Sequence, residues 1–503
     1  MAGLKYVPSN GIMGLVIIKP NIFCLAFSDI IDFYGDDGMF NANYEIFKET
    51  VKNKNVAVLG LGISNIPAIE FLNKLGAKVC GCDRRTQEKF EKPIWNAIES
   101  NCSKVYLGED YLDHLDEFDM ILKSPGIKVK TPQIQKAIAD GKIVTSEMEI
   151  FMSLCPCKII GVTGSDGKTT TTTLIYEMLK REGYRTHVGG NIGTPLLAQI
   201  EDIYEEDMVV LELSSFQLQT MKQSPEVAVI TNLSPNHLDY HEDMQEYIDA
   251  KTNIYKFHDE GCRLILNHDN YVTCGLKDNY KFNLDMFSRK AEVDGAYLKS
   301  GVIYYRGEKI IDTLRIKIKG LHNIENYMAA ICAVYPFVCI ETIDYVATNF
   351  SGVEHRMEFV RSLDDVSFYN DSIGSSPTRT IAGLDAQPPG RIVLIAGGYD
   401  KNLPFDKLAE KIQERVTALV LIGATASKIE VEVEKCVTEK KKVPIFKADT
   451  MEEAVKYAFA VGKGLTGNNH NVSVILSPAC ASFDMYKNFE ERGNDFKSIV
   501  NKL

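Results

Sequence analysis

Short, uniformly apolar runs ending in glycine set the pattern of this chain. Val56-Ala-Val-Leu-Gly60, Lys158-Ile-Ile-Gly161-Val-Thr163 and Arg391-Ile-Val-Leu-Ile-Ala-Gly397-Gly398 are too short for buried helices and lack the alternation of a half-wet strand. They predict strands covered on both faces. Amphipathic stretches follow each of them, and that alternation predicts parallel sheets with crossover helices, an α/β fold class. Further strands are expected at Lys78–Cys82, Met208–Glu212, Ala418–Ile422 and Val472–Leu476. Helical periodicity marks Phe405–Val416, Met451–Val461 and Phe483–Val500.

The 503 residues and the three glycine-ended openings predict three domains. A Rossmann-like N-terminal domain is expected over 39–153, a P-loop-type central ATPase domain over 154–350 and a Rossmann-like C-terminal domain over 351–503. A hinge is expected near Ser351–Arg356. Residues 1–38 fit none of them and are expected to be either a loose extension or an upstream start-codon reading. Their apolar stretches, Gly11–Ile18 and Ile22–Phe27, are split by Lys19-Pro20-Asn21, too short to span a bilayer. Lys440–Lys442 reads as a solvated loop.

A formal net charge of −12 argues against a general nucleic-acid partner, which needs a basic surface to displace counterions. It leaves room for phosphorylated small molecules held by local loops. The twelve cysteines contain no C-x-x-C spacing, so zinc-ribbon and thioredoxin-like sites are excluded and free thiols in the cytoplasm are expected.

Two glycine loops carry candidate chemistry. In Gly60-Leu-Gly62-Ile-Ser64-Asn65, asparagine stands where a dinucleotide fingerprint has its third glycine, and Asp83 follows 23 residues beyond Gly60. Asp83 with Arg84 and Arg85 could grip a nucleotide; equally, the glycines could serve only the turn. The second loop, Gly161-Val-Thr-Gly164-Ser-Asp-Gly167-Lys168-Thr169-Thr170, predicts ATP binding. Its glycines let amides converge on phosphate, Lys168 reaches the β- and γ-phosphates, and the Thr169 hydroxyl can ligate Mg2+. Glu212, ending an apolar strand, suits the same metal. Asn232, Asn236, His237, Asp239 and Lys251 form a polar cluster beyond it.

These segments, with Gly189-Gly190-Asn191-Ile192-Gly193, Leu211–Gln217, Asn232–Asp239, Gly320–Asn326, Glu354-His355-Arg356 and Asn370-Asp371-Ser372, resemble the Mur ligases. The resemblance runs in order from about residue 50 to the C-terminus. It implies an enzyme that joins a carboxylate to an amine while ATP becomes ADP and phosphate, through an acyl phosphate. Ser124-Pro-Gly-Ile127 and Leu476–Gly493 point within the family to the step that adds D-glutamate to UDP-N-acetylmuramoyl-L-alanine in peptidoglycan precursor synthesis. A cytoplasmic monomer follows, with no membrane span. Rival readings are another amide-forming ligase of this superfamily, a non-catalytic nucleotide-binding paralogue and, on Gly60-x-Gly62, an NAD-dependent dehydrogenase.

The resemblance also implies roles. Gly164, Gly167, Lys168, Thr169 and Thr170 would hold ATP phosphates, and Asn323 and Asn326 the adenine. Arg356 and Asp371 would also touch the nucleotide. Thr169 and Glu212 would hold one magnesium ion. His237 and a carbamylated Lys251 would hold a second, with Lys168, His237 and Lys251 as the catalytic set. Asn191, Ser214 and Gln217 would line the substrate channel. Ser64, Asp83, Arg84 and Ser124 would bind the UDP-sugar, and Ser482 and Phe489 the glutamate. One departure stands out: the family's Asp-Ser-Lys reads Asp371-Ser372-Ile373 here. Isoleucine cannot pair with a carboxylate, so Arg379 or Lys401 is expected to supply that charge.

Overall fold

The computed structural model describes residues 41–503 except 63, 236–239, 319, 388–390, 401–402, 438–441 and 467–471. The expectations for residues 1–38, His237 and Lys401, and most of that for the Lys440–Lys442 run, lie outside the described residues. The chain divides into two compact units. One reaches Arg315 and resumes at Leu321–Ala347; the other comprises Ile316–Gly320 and Thr348–Leu503.

The first unit contains two sheets. Five parallel strands lie in the order Lys104–Leu107, Lys78–Asp83, Asn55–Leu59, Met120–Lys123, Ile143–Thr145. Val56 and Val58 pack with Ile69 and Leu72 of helix Asn65–Lys74, while Ala57 and Leu59 pack with Ile134 and Ala137 of helix Pro132–Ala139. Alternate residues of one strand thus serve opposite cores, which is why the run is apolar throughout. Connections leave Asn55–Leu59 in both directions, so its carboxyl end is a topological switch point.

The nine-stranded second sheet runs Glu308–Asp312, Val302–Tyr305, Gly295–Lys299, Asn283–Ser288, Arg263–Asn267, Val227–Ile230, Lys158–Thr163, Met208–Glu212, Thr186–Gly190. Its first two strands are antiparallel additions to a parallel sheet. Between the sheets sits helix Glu147–Leu154, all of whose residues are buried. One apolar core, from Phe47 to Met286, passes through this junction.

The second unit has six strands in the order Glu358–Leu363, Val366–Asn370, Val472–Leu476, Arg391–Ala396, Ala418–Ile422, Ile445–Ala448. All are parallel except the edge strand Glu358–Leu363. Helices Met451–Leu465 and Phe489–Lys502 cover one face; Asp406–Arg415 and Ala426–Lys435 cover the other.

Strands Ala418–Ile422 and Val472–Leu476 fall where the apolar runs predict. Two expectations need correction. Two of the sheets are mixed rather than wholly parallel, because their edges carry antiparallel strands. The last helix starts at Phe489, not Phe483: Asn488 caps it by accepting from the Glu491 amide at 2.8 Å, while the Ser482 carbonyl gathers the Met485 and Tyr486 amides into a separate turn.

Candidate functional site

Strand Lys158–Thr163 delivers the second glycine loop to the amino end of helix Lys168–Glu182. Gly164 and Gly167 both have positive φ, and neither could carry a side chain. A Cβ on Gly164 would lie 1.9 Å from Thr231 Oγ1, and one on Gly167 would lie 2.3 Å from Asn326 Oδ1. The loop is pinned from outside. Thr231 Oγ1 donates to the Asp166 carbonyl at 2.5 Å, Asn232 Oδ1 accepts from the Asp166 amide at 3.0 Å, and Ser165 Oγ lies 2.9 Å from Tyr247 Oη. Amides at a helix amino end with a fixed loop conformation form a ready anion seat.

Lys168 Nζ curls over this loop and donates to the Gly164 and Ser165 carbonyls at 3.0 and 2.9 Å. Thr169 is buried beneath it and Thr170 is half-buried beside it. Lys251, from helix Met244–Thr252, reaches the same loop from below, donating to Thr163 Oγ1 at 3.1 Å and the Gly164 carbonyl at 2.9 Å. Burial, reinforced by the charge of Lys168, lowers its pKa well below the usual lysine value. An amine so placed has its neutral, nucleophilic form favoured.

Glu212 is 1% exposed at the end of strand Met208–Glu212. Its Oε1 accepts from Asn191 Nδ2 at 2.8 Å, and its Oε2 is buried without a hydrogen-bond partner. Asn191 is held close because Gly190 would collide with the Glu212 carbonyl if it carried a Cβ, at 2.2 Å. A buried carboxylate oxygen with no donor, at the end of the strand paired with the one that feeds the phosphate loop, fits a hard divalent cation. Among the described residues no group of three or more His, Cys, Asp or Glu side chains converges as a metal site. Lys251 in its present form is a hydrogen-bond donor, not a metal ligand.

Asn326 lies against Gly167 and donates to Asn323 Oδ1 at 3.3 Å, so both asparagines border the loop on helix Leu321–Val334. Ser214 and Gln217 form a capping box. Ser214 Oγ donates to Gln217 Oε1 at 2.8 Å and accepts from the Gln217 amide at 3.3 Å. Their side chains thereby fix the turn that follows Glu212.

At the first glycine loop, Asn65 explains the missing third glycine. It is buried, and its Nδ2 donates to the Leu59 and Gly60 carbonyls at 3.2 and 2.9 Å, closing the turn with a side chain. Asp83 accepts from the Leu61 amide at 2.7 Å and is gripped by Arg85 at 2.8 Å. Burial alone would raise its pKa, but Arg85 and these amides hold it below the usual carboxylate value. Arg84 pairs instead with Glu109 on the surface. Ser64 is the residue before helix Asn65–Lys74 and makes no capping bond with its side chain. Ser124 lies across the loop, its Cβ only 2.9 Å from where a Gly60 Cβ would be.

In the second unit, Arg356 is exposed while Asp371 is buried. Asp371 accepts from Ser477 Oγ at 2.6 Å and from the Met357 amide at 3.2 Å. Burial pushes its pKa up to about 6 against those bonds. Ser482 is buried and Phe489 half-buried, the latter edge-on to the His355 ring at 5.9 Å. Arg379 donates to the Ile373 carbonyl at 3.3 Å.

The organiser of these loops is Arg492. Its Nε and Nη2 donate to Ser372 Oγ and the Ser372 carbonyl at 3.0 and 2.8 Å, and its Nη1 donates to the Cys480 and Ala481 carbonyls at 3.1 Å. Arg492, Tyr247 and Thr231 were not singled out by residue type. For Arg492 a signal existed, its place in the Phe489-Glu-Glu-Arg-Gly493 segment.

A strand–glycine loop–helix phosphate seat in an α/β sheet, in a chain that carries two further α/β sheets, defines a nucleotide-binding protein of the phosphate-loop class. Three family models match in order: the Mur ligase MurD-like N-terminal domain over 54–146, the Mur ligase middle domain over 162–334 and the Mur ligase glutamate ligase domain over 355–468. The UDP-N-acetylmuramoylalanine--D-glutamate ligase of Clostridium botulinum is 51% identical over 465 residues, covering 92% of this chain and 100% of that protein. That of Clostridium acetobutylicum is 52% identical over 465 residues, covering 92% and 99%. This chain belongs to the Mur ligase family. The crystal structure of UDP-N-acetylmuramate-alanine ligase from Thermotoga maritima shares the fold, with a TM-score of 0.52 at 16% identity over 89% of this chain and 99% of that one.

Proposed function

We propose that this chain joins D-glutamate to the L-alanine carboxylate of UDP-N-acetylmuramoyl-L-alanine, converting ATP to ADP and phosphate, in peptidoglycan precursor synthesis. The observation that carries this is the match to D-glutamate ligases over their whole length at about half identity. The alanine carboxylate oxygen attacks the γ-phosphorus, ADP departs, and an acyl phosphate remains. The glutamate amine then attacks the acyl carbon, loses a proton, and inorganic phosphate leaves.

In this reading residues 39–153 take the UDP-sugar, 154–350 the ATP, and 351–503 the glutamate and part of the nucleotide. Gly164, Gly167, Lys168, Thr169 and Thr170 seat the phosphates, with Asn323 and Asn326 at the adenine and Arg356 and Asp371 at the nucleotide. Lys168 swings from the loop carbonyls to the γ-phosphate, where charge builds in transfer. Thr169 and Glu212 would hold Mg2+, which supplies charge neutralisation at the phosphates when bound. Lys251 is suited to carbamylation, because burial and Lys168 favour its neutral amine; as a carbamate it would join His237 as an oxygen ligand. Asn191, Ser214 and Gln217 set the channel wall through the Glu212 turn. Ser64, Asp83, Arg84 and Ser124 face the UDP-sugar, and Ser482 and Phe489 the amino acid. Arg379 or Lys401 replaces the family lysine at Ile373. The enzyme works as a cytoplasmic monomer on small molecules.

The test is phosphate release by purified protein given ATP, Mg2+, UDP-N-acetylmuramoyl-L-alanine and single amino acids. Release that depends on D-glutamate is expected; the absence of release with any amino acid defeats the reading. Alanine at Arg379 and at Lys401, made separately, should show which of the two raises the KM for D-glutamate.

A further inference from the structure

We infer that Tyr240 is a positioning residue that ties the loop Ser124-Pro125-Gly126 of the first sheet to the Glu212-bearing turn of the second. This rests on the reading above that the Ser124 loop holds the UDP-linked substrate. Both loops belong to the first unit, and Tyr240 touches each with a different part of its side chain. Its Oη donates to the Pro125 carbonyl at 3.2 Å. Its ring meets the Phe216 ring edge-on at 4.3 Å, and Phe216 lies four residues beyond Glu212.

The surroundings hold Tyr240 in that bridging position. Lys128, two residues past the loop, sets its ammonium 5.0 Å from the centre of the Tyr240 ring. Lys130 spans to Glu242 and Glu246 at 2.7 and 2.8 Å. His241 stacks on Phe216 at 5.7 Å with the rings 10° apart, and its Nε2 lies 2.9 Å from Ser215 Oγ. Tyr240, His241 and Phe216 thus form one three-ring cluster, with the Tyr240 and His241 rings 5.2 Å apart. Bound UDP-sugar and the phosphate seat must be held at a fixed separation for the alanine carboxylate to line up with the γ-phosphorus, and small displacements there are expensive in rate. The hydroxyl fixes the substrate loop, and the ring fixes the turn carrying Glu212.

The two functions separate by substitution. Tyr240→Phe keeps the ring and removes one neutral hydrogen bond, so the KM for UDP-N-acetylmuramoyl-L-alanine should rise about five-fold. The kcat and the KM for ATP should each stay within two-fold, with an unchanged thermal midpoint. Tyr240→Ala loses the ring as well, so kcat should also fall, by about ten-fold or more. Ser124→Ala is measured alongside to test the underlying reading. If Ser124→Ala raises the UDP-substrate KM while Tyr240→Phe leaves it unchanged, the positioning role is overturned and the reading of the loop survives. If Tyr240→Phe raises the KM for ATP as much as that for the UDP-substrate, the role is likewise overturned. If neither variant moves the UDP-substrate KM, the loop reading fails and takes the inference with it.

Discussion

The phosphate seat of the middle sheet and the loop cluster around Arg492 in the second unit both lie at the carboxyl ends of parallel strands, but they treat charge in opposite ways. At the phosphate seat two lysines rest on backbone carbonyls, and Glu212 keeps a buried oxygen without a hydrogen bond. Such groups can change partners when an anion or cation arrives. Arg492 is 3% exposed, and its guanidinium makes four bonds to two loops, none of them to a carboxylate. Burial lowers its pKa to about 10, leaving it charged at neutral pH. The first arrangement is preorganised for electrostatics; the second fixes the shape of loops whose own sequence would let them wander.

Substitution should expose the contrast. Lys168→Met removes a cation that donates to the Gly164 and Ser165 carbonyls of a loop already held by Thr231 and Asn232. A fall in kcat of about three orders of magnitude is expected, with little change in thermal midpoint; phosphate release and a melting curve measure both. Arg492→Met should do the reverse in stability. It leaves the Ser372 and Cys480 carbonyls without the guanidinium donor, the Ala481 carbonyl keeping the Tyr399 amide, at about 2–4 kcal/mol, and should lower the midpoint of the transition in which the second unit melts. The KM for D-glutamate should rise with it, since Ser482 and Phe489 flank those bonds. A Lys168 variant that melts early at full activity would erase the distinction.

How much of this was readable beforehand depended on whether the determinant was local. The strands Ala418–Ile422 and Val472–Leu476 and the phosphate loop are written in consecutive residues, so periodicity and glycine spacing located them. The antiparallel edge strands were not foreseen because their half-buried pattern, as in Val302–Tyr305 with alternate residues buried, is weak over four positions. The late start of the last helix depends on the Asn488 cap, a signal present in the sequence but outweighed by the apolar periodicity reaching back to Phe483. Asn65 looked like a defect in a glycine fingerprint and is instead a side chain closing the turn. Asp83 is expected to act with both Arg84 and Arg85; the aspartate pairs with Arg85 and Arg84 with Glu109, a division set by the path of the chain after the strand, which residue type does not encode. Tyr240 carried no signal, since its partners, Pro125 and Phe216, lie on two different sheets.

Between the two sheets of the first unit, helix Glu147–Leu154 gives a third treatment of charge and sharpens the comparison. Glu147 is buried like Arg492, and it accepts from the Leu197 amide at 3.2 Å. Burial dominates and raises its pKa to about 7. The folded protein then keeps a proton between about pH 4.5 and 7 that the unfolded chain has released. Because the folded state binds more protons there, stability falls as pH rises through that window and levels off above it. Glu147→Gln keeps an acceptor for the Leu197 amide and has no proton to lose. Its advantage over the parent should be near zero at pH 5 and about 2 kcal/mol at pH 8, a fraction of the full linkage because buried sites relax. In a chain of this size that corresponds to a midpoint higher by roughly 2–4 °C at pH 8, read from melting curves of both proteins at matched scan rate. Glu149 faces the same burial and shifts with the same sign, but Ser146 and Thr220 donate to it at 2.9 and 3.3 Å, so Glu149→Gln should gain less. An equal gap at both pH values would mean that Glu147 does not titrate within the fold.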